Sequence, residues 1–180
     1  MEKAGATPVI TKDTTVMMEC DGVVLPGVGA FSEGMDKLGI LRTALCQYAE
    51  DRPVLGICLG MQMLLERSTE FGLHEGLGLV PGEVLPFEKT PGMKIPHMGW
   101  NTIPTEQLSP LFEGIPQESY VYFVHSFYAK TSPEHTLTTT DYICRFASSI
   151  WNGNVYGVQF HPEKSGDTGL QILKNFISLL

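Results

Sequence analysis

The segment Val54-Leu55-Gly56-Ile57-Cys58-Leu59-Gly60-Met61-Gln62-Met63-Leu64 constrains the fold more than any other stretch of this chain. An apolar run ends on a cysteine with glycine two places before it and two places after it. Apolar residues at helical spacing follow at once. The pattern describes a buried strand, a sharp turn and a helix, with a thiol at the apex. That is the shape of a nucleophile elbow, with cysteine in place of serine. Free N–H groups and the dipole at the helix start are expected to favour the thiolate.

The rest of the chain fits an α/β domain around that unit. Its 180 residues suit a single domain spanning 1–180 and large enough to bury a core. Hydrophobic residues make up 43% and charged residues 18%, which argues against disorder. A net charge of -8 disfavours nucleic acid or an anionic membrane as partner. No secretory signal and no apolar run of membrane-spanning length is visible. Cys20, Cys46, Cys58 and Cys144 form no C-x-x-C pair and no zinc-ligand spacing. The expectation is a cytoplasmic protein with reduced thiols, no metal and no cofactor, in which Cys20, Cys46 and Cys144 are small core residues.

Periodicity predicts the elements. A helix tail ends at Gly5, a short strand covers 7–10, and a helix capped by Asp13 covers 13–19. A strand over 21–25 runs into Pro26-Gly27-Val28-Gly29, and residues 32–50 read as largely helical. Strand 54–57 and helix 61–67 form the elbow. Strands are then expected at 82–87 and 121–127, and a hairpin of 141–150 with 154–160 turns near Asn152-Gly153. A closing helix covers 169–179. Alternating strands and helices imply a mixed, mainly parallel sheet covered on both faces, with an added antiparallel section.

Acyl transfer by cysteine needs a thiolate, a base oriented by a third group, and donors for the oxyanion. Cys58 and the Leu59 N–H supply the first and one of the last. The Val28-Gly29 peptide, after a buried strand, is a second donor. His161 and Glu163 share a face of an extended segment, with Pro162 stiffening the backbone between them. Each feature alone has a bland explanation: a buried cysteine, a satisfied histidine, a glycine-rich stretch in a chain with 19 glycines. Their conjunction points to a catalytic site.

The segments LGICLGMQ and YGVQFHPEKS resemble the class I, triad-type glutamine amidotransferases. LPGVGAF, PHMGWN and YFVHSF narrow the resemblance to the glutaminase subunits of imidazole glycerol phosphate synthase, over roughly residues 20–180. It implies a flavodoxin-like amidotransferase fold and hydrolysis of glutamine to glutamate and ammonia. Cys58 would be nucleophile, His161 base and Glu163 its orienting acid. Leu59, Val28 and Gly29 would form the oxyanion site. Gly27, Gln62, Glu70, His125, Ser126 and Phe127 would line the glutamine pocket; relatives often carry tyrosine where this chain has Phe127. Ammonia would pass to a HisF-type (β/α)8-barrel cyclase. His97, Met98, Gly99, Trp100 and Asn101 would meet that partner, with Lys164 as a salt-bridge contact. The bland alternatives are Trp100 as a core residue and Lys164 as a solvated lysine.

Members of the family open with a strand and a loop of Asp-Tyr-Gly-x-Gly-Asn type, then a helix. The first residues here match the end of that helix, so the expectation is a sheet without its first strand. Rival readings are an amidotransferase of the same class with another acceptor, a non-catalytic binding protein, and a general cysteine hydrolase.

Overall fold

A computed structural model describes residues 1–180. A 3-10 turn at Glu2–Ala4 closes on Gly5, as the sequence suggests. The strand expected at 7–10 does not form, and Val9 and Ile10 stand exposed. Helix α1 (Thr14–Glu19) starts where Asp13 accepts the Thr15 N–H at 2.8 Å. Strand β1 (Val23–Gly27) follows. The helix expected over 32–50 is two helices, α2 (Phe31–Leu38) and α3 (Leu41–Tyr48), because Gly39 takes a positive φ of 49° and turns the chain. Strand β2 (Val54–Cys58) leads straight into α4 (Leu59–Met63). Helix α4 ends earlier than expected because the Leu64 carbonyl is taken by the N–H groups of Leu79 and Val80.

Short strands β3 (Arg67–Ser68), β4 (His74–Glu75) and β5 (Glu83–Pro86) come next. Strands β6 (His97–Thr102) and β7 (Tyr120–His125) pair with each other as a separate small sheet. The strand expected over 121–127 breaks at Ser126, beyond which β8 (Phe127–Lys130) joins the main sheet. Strand β9 (Thr136–Asp141) pairs with β10 (Arg145–Asn152). The predicted hairpin at Asn152-Gly153 joins β10 to β11 (Val155–Val158), and α5 (Gly166–Ile177) closes the chain.

The main sheet runs β1-β2-β11-β10-β8-β5-β3-β4, with β9 also on β10. It is mixed, as expected, but its parallel part is confined to β1-β2-β11 and the β3-β5 pair. The antiparallel section is larger than alternation of elements predicts, because hairpins rather than helices connect the later strands. Both faces are covered, one core cluster lying under α1 to α4 and another under α5. Strand β2 serves both: Val54 belongs to the cluster that holds Phe31, Tyr48 and Met61, and Leu55 to the one that holds Phe160, Ile172 and Phe176. No helix is long and apolar enough to cross a membrane.

Close approach of α4 to the strands requires glycine. A Cβ on Gly60 would lie 1.7 Å from the Leu25 carbonyl oxygen, a backbone atom that cannot swing aside. Gly60→Ala is therefore expected to cost more than an ordinary overpacking substitution, upward of about 3 kcal/mol. Urea unfolding followed by circular dichroism checks this; an unchanged midpoint would refute the close packing.

Candidate active site

Cys58 is the last residue of β2 and takes φ 54° and ψ -112°. For a residue with a Cβ this is strained backbone, worth on the order of 1–3 kcal/mol, held by the packing of α4 on β1 and β2. The turn carries Cys58 off the strand line into the space between β2 and β7, where Sγ lies 4.0 Å from the Val124 carbonyl oxygen. Gln159 donates an Nε2–H to the sulfur at 3.8 Å.

The expected thiolate is not favoured here. Burial pushes the Cys58 thiol up to about 11, and the nearby Glu163 carboxylate adds to the rise. The Leu59 N–H opposes burial without overcoming it. Helix α4 has five residues, so few aligned peptide dipoles offset the loss of water.

Strand β11 runs parallel to β2 with Val158 opposite Ile57, so their carboxyl ends lie side by side. His161 follows β11 and is buried. Its Nδ1 lies 2.8 Å from Glu163 Oε1, while Nε2 is buried with no hydrogen-bond partner. Sulfur and imidazole are thus not hydrogen-bonded in this state. Two contacts hold the His161 backbone that sequence reasoning missed. Its N–H donates to the Tyr122 carbonyl at 2.9 Å, and its carbonyl accepts from Ser165 Oγ at 2.6 Å. Ser165 Oγ in turn accepts the Tyr122 N–H at 3.0 Å. Strand β7 therefore touches both Cys58 and His161. Ser165 precedes α5, and its link to β7 is tertiary.

The residues expected around glutamine divide in two. Val28 and Gly29 form an exposed turn, with Gly29 at φ 100°. Gly27 pairs with Cys58 and leaves room for Leu59, whose Cβ would lie 2.9 Å from a Cβ placed there. Ser126 and Phe127 are half-buried between the two sheets, with the Phe71 ring edge-on to Phe127 at 6.5 Å. Glu70 accepts the N–H of Phe31, the first residue of α2, at 2.6 Å, tying its loop to the segment after Val28-Gly29. Gln62 is buried and donates Nε2–H to the Phe127 carbonyl at 3.1 Å and to Gln159 Oε1 at 2.9 Å. His125 is buried as well.

Alternation along β6 separates the residues expected at a partner surface. Met98 and Trp100 point outward, 63% and 56% exposed, beside Tyr120 at 61% on β7. Trp100 is therefore not core. Its ring meets Tyr122 edge-on at 6.2 Å, and Lys164 Nζ lies 5.7 Å from the same Tyr122 ring. Gly99, at φ 133°, lies between the outward residues. His97 points inward, 2% exposed and stacked on Tyr142 and Phe123, and so is not a surface contact. Asn101 is half-buried and donates Nδ2–H to the Asp141 carbonyl at 3.0 Å.

His97 and His125 form a buried neutral pair. His125 Nδ1 lies 2.7 Å from the Phe127 carbonyl, which only a ring N–H can satisfy. His125 Nε2 must then accept from His97 Nδ1 at 3.0 Å, and His97 Nε2 from Asn101 Nδ2 at 3.3 Å. Burial pulls His97 down to about 4 and His125 to about 3. An unfolded chain takes up these protons near pH 6.5, and the folded one only at much lower pH. Stability is therefore expected to fall, by on the order of a few kcal/mol, as pH drops from about 6.5 toward 4. Urea midpoints across that range check this. A His97→Asn variant is expected to be less stable at neutral pH yet to lose less on acidification.

Comparison with known proteins gives a consistent answer. Residues 5–179 match the family "Glutamine amidotransferase class-I". The imidazole glycerol phosphate synthase subunit HisH of Methanosarcina mazei is 49% identical over 182 residues, covering 99% of this chain and 90% of that protein. The protein of the same description from Natronomonas pharaonis is 50% identical over 186 residues, covering 98% and 85%. Among solved structures, a crystal structure of a glutamine amidotransferase aligns with TM-score 0.73 at 16% identity, covering 99% of this chain and 88% of that one. The glutaminase domain of Trypanosoma brucei CTPS aligns with TM-score 0.64 at 18% identity, covering 92% and 74%. At such identities these two structures speak for the fold.

Proposed function

The chain belongs to the class-I glutamine amidotransferases, in the branch of the HisH subunits of imidazole glycerol phosphate synthase, and on that premise we propose how its site releases ammonia. Cys58, His161 and Glu163 act as the triad. His161 carries this assignment: Nδ1 is bound to Glu163, and Nε2 is buried and unpartnered beside the strand end that bears Cys58.

His161 Nε2 takes the Sγ proton as the sulfur attacks the side-chain amide carbon of glutamine. Glu163 accepts from Nδ1–H and stabilises the imidazolium. The C–S bond forms and the amide oxygen gains negative charge, met by the Leu59 N–H and by the Val28-Gly29 peptide once it turns inward. His161 returns its proton to the amide nitrogen, the C–N bond breaks and ammonia leaves. Water, deprotonated by the same imidazole, then attacks the thioester; the C–S bond breaks, glutamate forms and the thiol is restored.

Burial holds the Cys58 thiol protonated at neutral pH, so attack waits on His161 to take the proton. Attack requires the sulfur to leave the Val124 carbonyl and meet His161. Strand β7 touches both and also forms half of the exposed β6-β7 sheet. Docking of a HisF-type (β/α)8 barrel on Met98, Trp100 and Tyr120, with Lys164 at the edge, is the event that realigns them. Ammonia then passes to the barrel, where it is used to make imidazole glycerol phosphate and an aminoimidazole carboxamide ribotide. The exposed tryptophan is the expected anchor.

Glutamate release measured with and without such a barrel tests this. Cys58→Ala is expected to abolish partner-stimulated release, and retained release would sink the triad. Trp100→Ala is expected to weaken barrel binding by about tenfold or more. A lack of stimulation by the barrel in the unmodified chain would favour another acceptor.

A further inference from the structure

Gln159 is fully buried, one residue past the end of β11, and its N–H donates to the Ser148 carbonyl of β10 at 2.8 Å. Its carboxamide is the side chain that offers Cys58 Sγ an N–H, at 3.8 Å. That carboxamide is not free to turn. Its Oε1 accepts from Gln62 Nε2 at 2.9 Å, and Gln62 Nε2 is itself held by the Phe127 carbonyl at 3.1 Å. A flipped Gln159 would set two amide N–H groups against each other and aim an oxygen lone pair at the sulfur. The clamp from Gln62 therefore selects the orientation that suits a thiolate.

We propose that Gln159 is a positioning residue for glutamine hydrolysis: its N–H, aimed by Gln62, holds the Cys58 sulfur and eases the development of negative charge on it. This rests on Cys58 being the nucleophile. The contact is weak to a neutral thiol and strengthens when the sulfur ionises, as bonds to charged acceptors do. It adds to the backbone N–H of Leu59, and the charged groups acting on the sulfur are Glu163 and Lys164. The clamp is also the inner end of an unbroken chain of hydrogen bonds. The Phe127 carbonyl that Gln62 grips accepts from His125, which accepts from His97, which accepts from Asn101 on β6. Shifts of the β6-β7 sheet thus reach the group that orients the sulfur.

The test is alkylation of Cys58 by iodoacetamide between about pH 8 and 10, where the rate follows the thiolate fraction. The Cys58 peptide is read by mass spectrometry, because Cys20, Cys46 and Cys144 are also free thiols. Gln159→Met keeps the length and burial of the side chain and removes the N–H. Its expected alkylation rate is about tenfold lower at each pH, the loss of roughly one unit of thiolate stabilisation. In the complex with the barrel, kcat is expected to fall with KM unchanged within about twofold. Gln62→Met leaves the donor but frees it to turn, so a smaller fall in the same direction is expected. An unchanged alkylation profile in folded Gln159→Met overturns the proposal. If that variant does not fold, an unchanged profile in Gln62→Met overturns it instead. Cys58→Ala keeps the two ideas apart: retained glutamate release there defeats the triad, whereas alkylation reads the effect of Gln159 on the sulfur itself.

Discussion

Parallel pairing of β2 with β11 is the interaction on which the site depends. It sets Gly56 opposite Gly157, and the bare surface of those two glycines is where α4 rests. A Cβ on Gly56 would lie 2.7 Å from the Met61 backbone nitrogen, and one on Gly157 would lie 2.7 Å from the Met61 side chain. Because the helix sits this low, the turn into it must be sharp, and Cys58 is left at a positive φ with its sulfur off the strand line. The same pairing ends β11 beside β2, so His161 arrives at the height of the thiol. Strain at the cysteine is maintained by buried apolar contacts on both faces of the sheet, not by the turn itself.

Strand β7 is the second support, because it meets both the Cys58 and His161 segments and the outer face that bears Trp100. Its inner residues pack as core, its backbone holds the Cys58 sulfur and the His161 N–H, and on its outer side Tyr120 is exposed while half-buried Tyr122 meets the Trp100 ring. A strand is stiff along its length, so a displacement at its exposed face is carried to its backbone. The electrostatics match that arrangement: burial raises the thiol above its ordinary range.

The elbow, the Asp13 cap and the Asn152-Gly153 hairpin were legible because each rests on local chemistry: a period, a cap, a turn residue. His161-Pro162-Glu163 was expected to be extended, but the chain turns into a 3-10 helix over Pro162–Lys164, and Glu163 still reaches His161 Nδ1 at 2.8 Å. The break at Gly39 was missed because a helical period continued across it, and positive φ at one glycine leaves no mark on periodicity. The strand expected at 7–10 failed for the opposite reason, since β-prone residues form no strand without a neighbour to bond. His97 and Trp100 were grouped by proximity in sequence, whereas a pleated strand sends them to opposite faces.

Sequence alone determined which atoms the proposed chemistry draws on: a thiol at a glycine-flanked turn, and an imidazole two residues from a carboxylate. Those depend on residue identity and short spacing, which a chain carries in any conformation. Only the tertiary structure decided the state of those atoms. Burial against β7 raises the thiol, Gln62 and Gln159 set what the sulfur meets, and the strand register turns Trp100 to the surface and His97 to the core. Desolvation and the direction of a hydrogen bond are set by neighbours distant in sequence, so no local pattern records them.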